Sequence, residues 1–320
     1  MVAPTTSTPT PGVYWPKDRT VVTSDGATVH FTVLGERGPA VILLSGFLCP
    51  DTWWYHLAPA LVEAGYRVVL LHYRGIATST LPTRPDERSI SIERFAEDAL
   101  DVLHAAGIGQ VSLIGHSMGG QVMVEVARRI PDRVTAMVSV TGTYRSPLKD
   151  LYGHGWAIDP LAGRLLWGLQ KLREPVGTTV WRTVWRTVPF LPLGRLVTAF
   201  SAKSPADIIL SYEQHAASLS GEYFTAVAAA MRRHDPGDLL PSLDIPTLVI
   251  TGDADPFTPL KTARRMVELL PDATLVIVPG ASHGCILEEP EVVNTAILEH
   301  LAGHDPVEVA ERLDLVVDTT

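Results

Sequence analysis

Hydrophobic and polar positions alternate along this chain with two different periods. Short continuous apolar runs predict buried β-strands, and apolar positions three or four residues apart predict helices with one buried face. The two patterns follow one another in turn, which is typical of parallel strands joined by helical crossovers and covered on both faces. The predicted strands are 40–44, 67–71, 111–114, 134–140, 247–251 and 274–278, and the predicted helices are about 51–64, 91–106, 118–130, 259–270 and 289–301.

Two regions depart from this alternation. Near the start, Asp25-Gly26 separates the apolar runs 21–23 and 27–34, which predicts a β-hairpin. Between 143 and 240 no strand-like run occurs, and we interpret this segment as a helical cap with helices at 160–173, 178–188, 206–219 and 222–233. The predicted organisation is a disordered tail at 1–19, an α/β core at 20–142 and 241–303, the cap at 143–240 and a C-terminal extension at 304–320.

Composition narrows the class of protein. With 320 residues and 46% hydrophobic content, the chain can bury a substantial core. The net charge of −9 argues against a nucleic-acid binder. No apolar run has the length of a membrane span, and residues 1–12 lack the features of a secretory signal. Cys49 and Cys285 are too few for a disulfide framework, so we expect buried free thiols rather than a redox pair, and a cytoplasmic protein.

A candidate nucleophile lies where the strand 111–114 meets the helix that follows it. Gly115-His116-Ser117-Met118-Gly119 matches the Gly-x-Ser-x-Gly pattern of a nucleophile elbow. A turn sharp enough to lift the Ser117 hydroxyl off the strand end strains its backbone and brings neighbouring chain close, which only glycine tolerates. The helix directs its free N–H groups at the same point, where an oxyanion can form.

A serine hydroxyl needs a base to remove its proton and an acid to orient that base. The loop after the strand 247–251 carries Asp253 and Asp255, and the loop after 274–278 carries His283. Because parallel strands bring their carboxyl ends to one edge of the sheet, these loops are expected to meet. Ser117, one of the two aspartates and His283 therefore predict a catalytic triad in the chain order Ser, Asp, His.

These motifs resemble the α/β-hydrolase family, and the resemblance extends from about residue 21 to residue 301. It implies a mostly parallel, eight-stranded type of sheet with helices on both faces and an inserted helical cap. It favours Asp255 over Asp253, because the family's acid usually follows a glycine by three residues and often precedes a proline. His283, with the acidic stretch Glu288-Glu289-Pro290 behind it, matches the family's base.

The resemblance also assigns the groups around the nucleophile. The backbone N–H groups of Phe47 and Met118 are expected to form the oxyanion hole. His116, inside the elbow, is interpreted as a packing residue rather than as the base. No metal-ligand spacing, phosphate loop or dinucleotide glycine pattern occurs, so we expect neither a metal nor a cofactor.

Three positions depart from the family pattern. Ser45 stands where relatives usually have His before Gly46, His72 where they commonly have Asp, and Ala77 where they have Gly. Because the oxyanion donor is a backbone N–H group, it tolerates Ser45 in place of His. The replacement is expected to affect how the loop is held and which substrate fits. Ser45 is therefore a candidate substrate-binding residue, and the departures indicate a subgroup away from the best-known esterases.

Two tryptophans of the cap are further candidate substrate-binding residues. Residues 180–187 repeat with a four-residue step, which stacks Trp181 over Trp185 on a helix. These side chains either face a core or roof an apolar pocket, and the pattern leaves both open. Residues 143–240 carry 11 Lys or Arg against 8 Asp or Glu, and the rest of the chain carries 15 against 27, which fits an anionic substrate and a solvated basic face equally well.

The resulting hypothesis is a cofactor-independent serine hydrolase that cleaves an ester, thioester or lactone of an apolar small molecule through an acyl-enzyme. Carbon–carbon bond hydrolases and perhydrolases use the same triad and remain alternatives, as does a non-catalytic ligand-binding protein of the same fold. Epoxide hydrolases and haloalkane dehalogenases are disfavoured, because they have Asp at the position of Ser117. The oligomeric state stays open.

Overall fold

A single eight-stranded sheet forms the centre of the computed structural model, which describes residues 15, 18–85, 88–171, 176–197 and 199–304. The strands are β1 Arg19–Val22, β2 Thr28–Leu34, β3 Ala40–Leu44, β4 Arg67–Leu71, β5 Val111–His116, β6 Val134–Val140, β7 Thr247–Gly252 and β8 Ala273–Val278. Their order across the sheet is β1-β2-β4-β3-β5-β6-β7-β8. β2 pairs antiparallel with β1 and with β4, and the remaining neighbours pair in parallel.

Helices cover both faces of this sheet. They are α1 Leu57–Glu63, α2 Ile92–Ala105, α3 Gly119–Arg129, α4 Gly155–Gln170, α5 Val176–Thr187, α6 Phe190–Leu196, α7 Ala206–Ser218, α8 Gly221–Arg233, α9 Leu260–Leu269, α10 Cys285–Glu288 and α11 Pro290–Ala302. Alternate side chains of β3 enter different cores: Ile42 packs in the core that holds α2 and α3, and Leu43 in the core that holds α1 and α11. The predicted fold class is therefore confirmed.

The strand order creates a crevice at the carboxyl ends of β3 and β5. The chain leaves β3 for β4 on one side and returns to β5 on the other side of β3. Loops that leave β3 and β5 diverge at such a point, which is where parallel sheets bind ligands. The loop after β3 carries Phe47 and the loop after β5 carries Ser117, so the fold brings both to this crevice.

Most predicted elements are confirmed, including the hairpin, which turns at Gly26 with a φ of 86°. The prediction of one helix over 51–64 is wrong, because Asp51–Trp54 form a separate 3-10 helix before α1. Tertiary contacts cause this break. Trp53 and Trp54 are buried, and their indole N–H groups donate to His116 and Ser45, respectively.

Five helices, α4 to α8, lie between β6 and β7, and we call them the cap helices. Among the described residues from 143 to 240 no strand occurs, as the sequence predicts. α4 begins at Gly155 and contains Pro160, which was expected to start it, while α6 and α10 were not predicted. The predicted tail 1–19 and extension 304–320 lie almost wholly outside the described residues. No helix in the described part of the chain is long and apolar enough to cross a membrane.

Candidate active site

Ser117 lies on a strained turn between β5 and α3. Its φ is 53°, in the left-handed region that is costly for a residue with a side chain. The turn is closed by Gly120 N, which donates to the Ser117 carbonyl. A Cβ at Gly119 would lie 1.9 Å from the Leu44 carbonyl oxygen, and a Cβ at Gly115 would lie 2.5 Å from the Gly119 carbonyl oxygen. The close approach of backbone therefore requires both glycines of the elbow, as the pattern predicts.

Ser117, His283 and Asp255 form a continuous line of hydrogen-bonding groups. Ser117 Oγ lies 3.0 Å from His283 Nε2, and His283 Nδ1 lies 2.8 Å from Asp255 Oδ2. Asp255 is 3% exposed and also accepts hydrogen bonds from Thr258. Burial alone would raise the pKa of Asp255, but the His283 ring and the Thr258 donors outweigh it and hold that pKa below its usual value. A charged Asp255 fixes the proton on Nδ1, which leaves Nε2 to accept from Ser117.

The other candidate acid and the other histidine have different partners. Asp253 is exposed, and its carboxylate accepts a hydrogen bond from Gly280 N at 2.7 Å, which ties the two loops together. His116 is buried with its ring centroid 5.3 Å from that of His283. Trp53 Nε1 donates to His116 Nε2, and burial lowers the pKa of His116 to about 3. A neutral, buried ring fits the packing role predicted for His116.

Phe47 and Met118, the predicted oxyanion donors, belong to two segments that pack together. Met118 is the N-cap residue of α3 and is buried. Gly46, just before Phe47, lies so close to the elbow that a Cβ there would be 3.1 Å from Ser117 Cβ. Tyr212 of α7 donates its hydroxyl to the Phe47 carbonyl at 3.3 Å. A cap helix therefore helps to hold the loop that carries one predicted donor.

A buried carboxylate that the sequence did not assign supports the histidine loop. Glu288 of α10 accepts hydrogen bonds from the N–H and the hydroxyl of Ser282. It also accepts from Ser201 N and Ser204 Oγ, in the segment that follows α6. Burial alone would raise the pKa of Glu288, but these donors outweigh burial and hold it below its usual value. In the sequence, the acidic stretch after His283 indicated where the histidine loop lies. It did not indicate that Glu288 would hold this loop through hydrogen bonds.

Aromatic rings connect the cap helices to the loop that carries Phe47. Trp181 stacks on Phe224 with ring centroids 4.0 Å apart, and Phe224 meets Phe47 edge-on at 5.5 Å. Trp185 meets Trp181 at 5.2 Å and Tyr212 at 6.1 Å. We call these five residues the aromatic set. Trp181 is buried and Trp185 is half-buried within it, so both pack against other aromatic rings, and a substrate-binding role for them stays a prediction.

The structure shows the surroundings of the three residues that depart from the family pattern. Ser45 is buried, and its Oγ accepts a hydrogen bond from Trp54 Nε1 at 2.9 Å, so a substrate-binding role for Ser45 stays a prediction. His72 is buried with Nε2 at 3.6 Å from Asp51 Oδ2. Ala77 is exposed and has a φ of 54°, a conformation that glycine would adopt without strain.

The two cysteines are free and buried, as the sequence predicts. Burial raises the pKa of the thiols of both Cys49 and Cys285. A thiol becomes a nucleophile only as the thiolate, so burial keeps both unreactive. We therefore do not expect either cysteine to act as a nucleophile.

A group of possible metal ligands comes from α2, α3 and the residue that follows α8. Among the described residues, Glu93, Glu125 and His234 bring potential ligand atoms within 4.8 Å of one another. Glu125 already accepts hydrogen bonds from Arg128 and Arg129 and lies 3.0 Å from His234 Nε2. The two arginines balance the negative charge of Glu125 that would otherwise attract a metal ion.

Comparison with known proteins identifies the family. The model of the alpha/beta hydrolase fold matches residues 39–290, which is more than half of the chain. The chain therefore belongs to the α/β-hydrolase family, and several of its relatives are named as hydrolases.

Individual relatives agree with this assignment. The chain is 28% identical to the putative carbamate hydrolase RutD of Caulobacter sp. (strain K31), over 83% of this chain and 93% of RutD. It is 30% identical to the polyketide synthase ThaQ of Burkholderia thailandensis over 83% of this chain, but it spans only 12% of ThaQ. The solved structure of the esterase EaEST from Exiguobacterium antarcticum superposes with a TM-score of 0.72 at 19% identity, covering 88% of this chain and 98% of EaEST, which reflects the shared fold.

Proposed function

We propose that this chain is a serine hydrolase that transfers the acyl group of an apolar ester, thioester or lactone to Ser117 and then to water. The observation that carries the proposal is the line of hydrogen-bonding groups, with Ser117 Oγ 3.0 Å from His283 Nε2 and His283 Nδ1 2.8 Å from Asp255 Oδ2. In this proposal the three residues are catalytic, and residues 143–240 form a cap over the core.

The proposed acylation follows from the roles of the three side chains. Ser117 Oγ attacks the substrate carbonyl while its proton passes to His283 Nε2, and Asp255 stabilises the imidazolium that forms. The N–H groups of Phe47 and Met118 donate to the oxyanion, and such a donor is worth roughly 10²–10³-fold in rate. His283 then gives its proton to the leaving alkoxide or thiolate, which departs and leaves the acyl group on Ser117.

Deacylation repeats these steps with water. His283, now neutral, removes a proton from a water molecule that attacks the acyl carbonyl, and the same two N–H groups hold the second oxyanion. The proton returns from His283 to Ser117 Oγ as the ester bond breaks. The products are the free acid and the unchanged enzyme.

The aromatic set supports the proposal that the acyl group of the substrate is apolar. Its rings extend from Phe47, which carries a proposed oxyanion donor, to Trp185 on α5. The cations on α5, Arg182 and Arg186, are exposed, so they belong to the solvated side of that helix. RutD is named a putative carbamate hydrolase, and a carbamate, like an ester, is attacked at a carbonyl carbon.

A fluorophosphonate probe and p-nitrophenyl esters of graded chain length test the proposal. We expect stoichiometric labelling of Ser117, no labelling of Ser117→Ala, and a kcat/KM that rises with acyl length until the pocket is filled. Labelling that persists in Ser117→Ala would contradict the assignment of the nucleophile. Labelling of Ser117 without hydrolysis of any ester would favour carbon–carbon bond cleavage, and a folded protein that resists the probe would favour a ligand-binding protein.

A further inference from the structure

The cap helix α4 consists mostly of apolar residues, yet it lies on the surface. Its 16 residues include only three polar side chains, Asp159, Arg164 and Gln170, and its only buried residue is Gly155. A helix of this composition is ordinarily buried in a protein core or in lipid. Within the part of the chain that the structure describes, α4 therefore carries apolar surface that nothing covers.

One side of α4 packs against α8 and the other faces outward. Gln170 Nε2 approaches the Thr225 carbonyl at 3.4 Å, and Asp159 pairs with Arg232, both partners being on α8. Helical spacing puts Arg164 in the middle of the outward half of α4, with large apolar side chains on both sides of it. We call four of these side chains, which are exposed by 62% to 80%, the α4 face: Trp156, Leu161, Leu165 and Trp167.

The stretch of sequence that carries the α4 face is basic, whereas the rest of the protein is acidic. Residues 155–197 carry six Lys or Arg and two Asp or Glu, whereas the rest of the chain carries 20 and 33. Arg164 is exposed within the face, and Lys171 Nζ lies 3.4 Å from the centroid of the Trp167 ring. A surface that is both apolar and cationic is complementary to a partner that has an apolar interior and an anionic surface.

The same charge distribution argues against a second copy of this chain. A two-fold dimer through the α4 face would bring two identical basic surfaces together, because such an interface pairs a patch with itself. Like charges across an interface oppose association. An anionic lipid surface meets the face with the opposite charge and repels the acidic remainder of the protein, which also fixes the orientation.

We propose that the α4 face docks on the surface of a bilayer that contains anionic phospholipid. Its tryptophan and leucine side chains enter the boundary between headgroups and acyl chains, and Arg164 and Lys171 pair with lipid phosphates. The docking does not depend on the chemistry proposed for Ser117. If both hold, the docking brings the protein to a source of apolar substrate.

Co-sedimentation with vesicles tests the docking. The full chain with Ser117→Ala, which cannot consume lipid by the proposed chemistry, is mixed with vesicles of phosphatidylcholine alone or with an equal part of phosphatidylglycerol. We expect partition into the anionic vesicles to exceed partition into the neutral ones at least about tenfold and to fall at high salt. Adding Trp156→Ser and Trp167→Ser together is expected to lower partition at least about tenfold. Arg164→Glu is expected to lower it about fivefold.

Matched controls lie elsewhere on the surface. Val22→Ser on β1 and Arg264→Glu on α9 change an exposed apolar residue and an exposed arginine outside the cap, and both should keep full vesicle binding. Failure to bind anionic vesicles, or equal loss of binding in the controls, overturns the proposal. So does a dimer in analytical ultracentrifugation that binds no vesicles and dissociates when Trp156 and Trp167 are changed, since it assigns the face to a second copy.

Discussion

The sheet edge that carries Ser117 and the cap helix α4 hold their side chains in opposite ways. At the edge, the groups of the proposed reaction have buried partners: Asp255 lies against His283, and Glu288 holds the loop that carries His283. In α4 the large side chains are exposed, and only Gly155 is buried. Fixed partners define a geometry, whereas exposed apolar side chains offer contact area to another molecule. We therefore expect the edge to determine the reaction and the cap helices to determine which substrate and surface the protein meets.

The largest effect is expected when the partner of His283 is removed. Asp255→Asn should lower kcat about 10⁴-fold, because an amide favours the wrong tautomer of His283 and cannot stabilise its charged form. Asp253→Asn is the matched change two positions earlier, at an exposed residue that contacts Gly280, and should keep kcat within about twofold. Steady-state kinetics on one p-nitrophenyl ester measures both. Similar losses in the two variants would contradict the distinction between the two aspartates.

The aromatic set is an intermediate case, because it belongs to the cap helices but contacts the edge through Phe47. Trp185→Ala should lower kcat/KM about tenfold for long acyl chains and little for acetate esters, since a lost aromatic contact is worth about 1–2 kcal/mol. Trp156→Ala removes a ring of the α4 face and should leave the chain-length profile in solution unchanged. If Trp156→Ala alters that profile as much as Trp185→Ala does, the two parts of the cap are not separate in function.

Replacing Glu288 tests how much the stability of the fold depends on the buried carboxylate that holds the histidine loop. Its pKa is lowered in the folded chain, so its ionised form stabilises the fold above the ordinary pKa of a glutamate, and that contribution disappears as the pH falls through the lowered value. Glu288→Gln should cost about 2 kcal/mol of unfolding free energy at neutral pH. The difference from the wild type should shrink below a pH of about 4.3.

Urea unfolding at neutral and at acid pH measures this difference. Glu289→Gln is the adjacent control, because Glu289 pairs with the exposed Lys203, and it should change the free energy by less than about 0.5 kcal/mol. A gap between Glu288→Gln and the wild type that widens on acidification would show that the carboxylate is not what the loop requires.

The smallest effect concerns the backbone of the loop after β4. Ala77→Gly should raise the unfolding free energy by about 0.5–1 kcal/mol, since it relieves a left-handed conformation but loosens the unfolded chain. Ala105→Gly, at the exposed last residue of α2, should lower it by up to about 0.5 kcal/mol, which is less than glycine costs in a helix interior. Thermal or urea unfolding of both variants tests the opposite signs. The same sign for both would mean that the strain at Ala77 is already compensated.

Features that depend on the backbone could be predicted from the sequence. The two glycines around Ser117 mark a close approach of chain segments, and the order of strands and loops brings Asp255 and His283 to the same edge. These features leave local marks in the sequence, because a turn, a strand or a helix start requires particular residue types within a few positions.

Partners that come from distant parts of the chain could not be predicted in this way. Tyr212 meets the Phe47 carbonyl from 165 positions away, and Ser204 meets Glu288 from 84 positions away. No local pattern marks a serine or tyrosine for such a contact. The exposed face of α4 was missed for a related reason, since an apolar helix predicts burial and the sequence does not show what covers it.

The claim that Ser117 Oγ carries the acyl group is tested most directly during the first turnover. The protein is mixed with a p-nitrophenyl ester, quenched with acid within that turnover and digested for mass spectrometry. We expect an acyl adduct on the peptide that contains Ser117, equal in amount to the burst of p-nitrophenol, and no adduct in Ser117→Ala. A burst without this adduct, or an adduct on Cys49 or Cys285 instead, would contradict the claim.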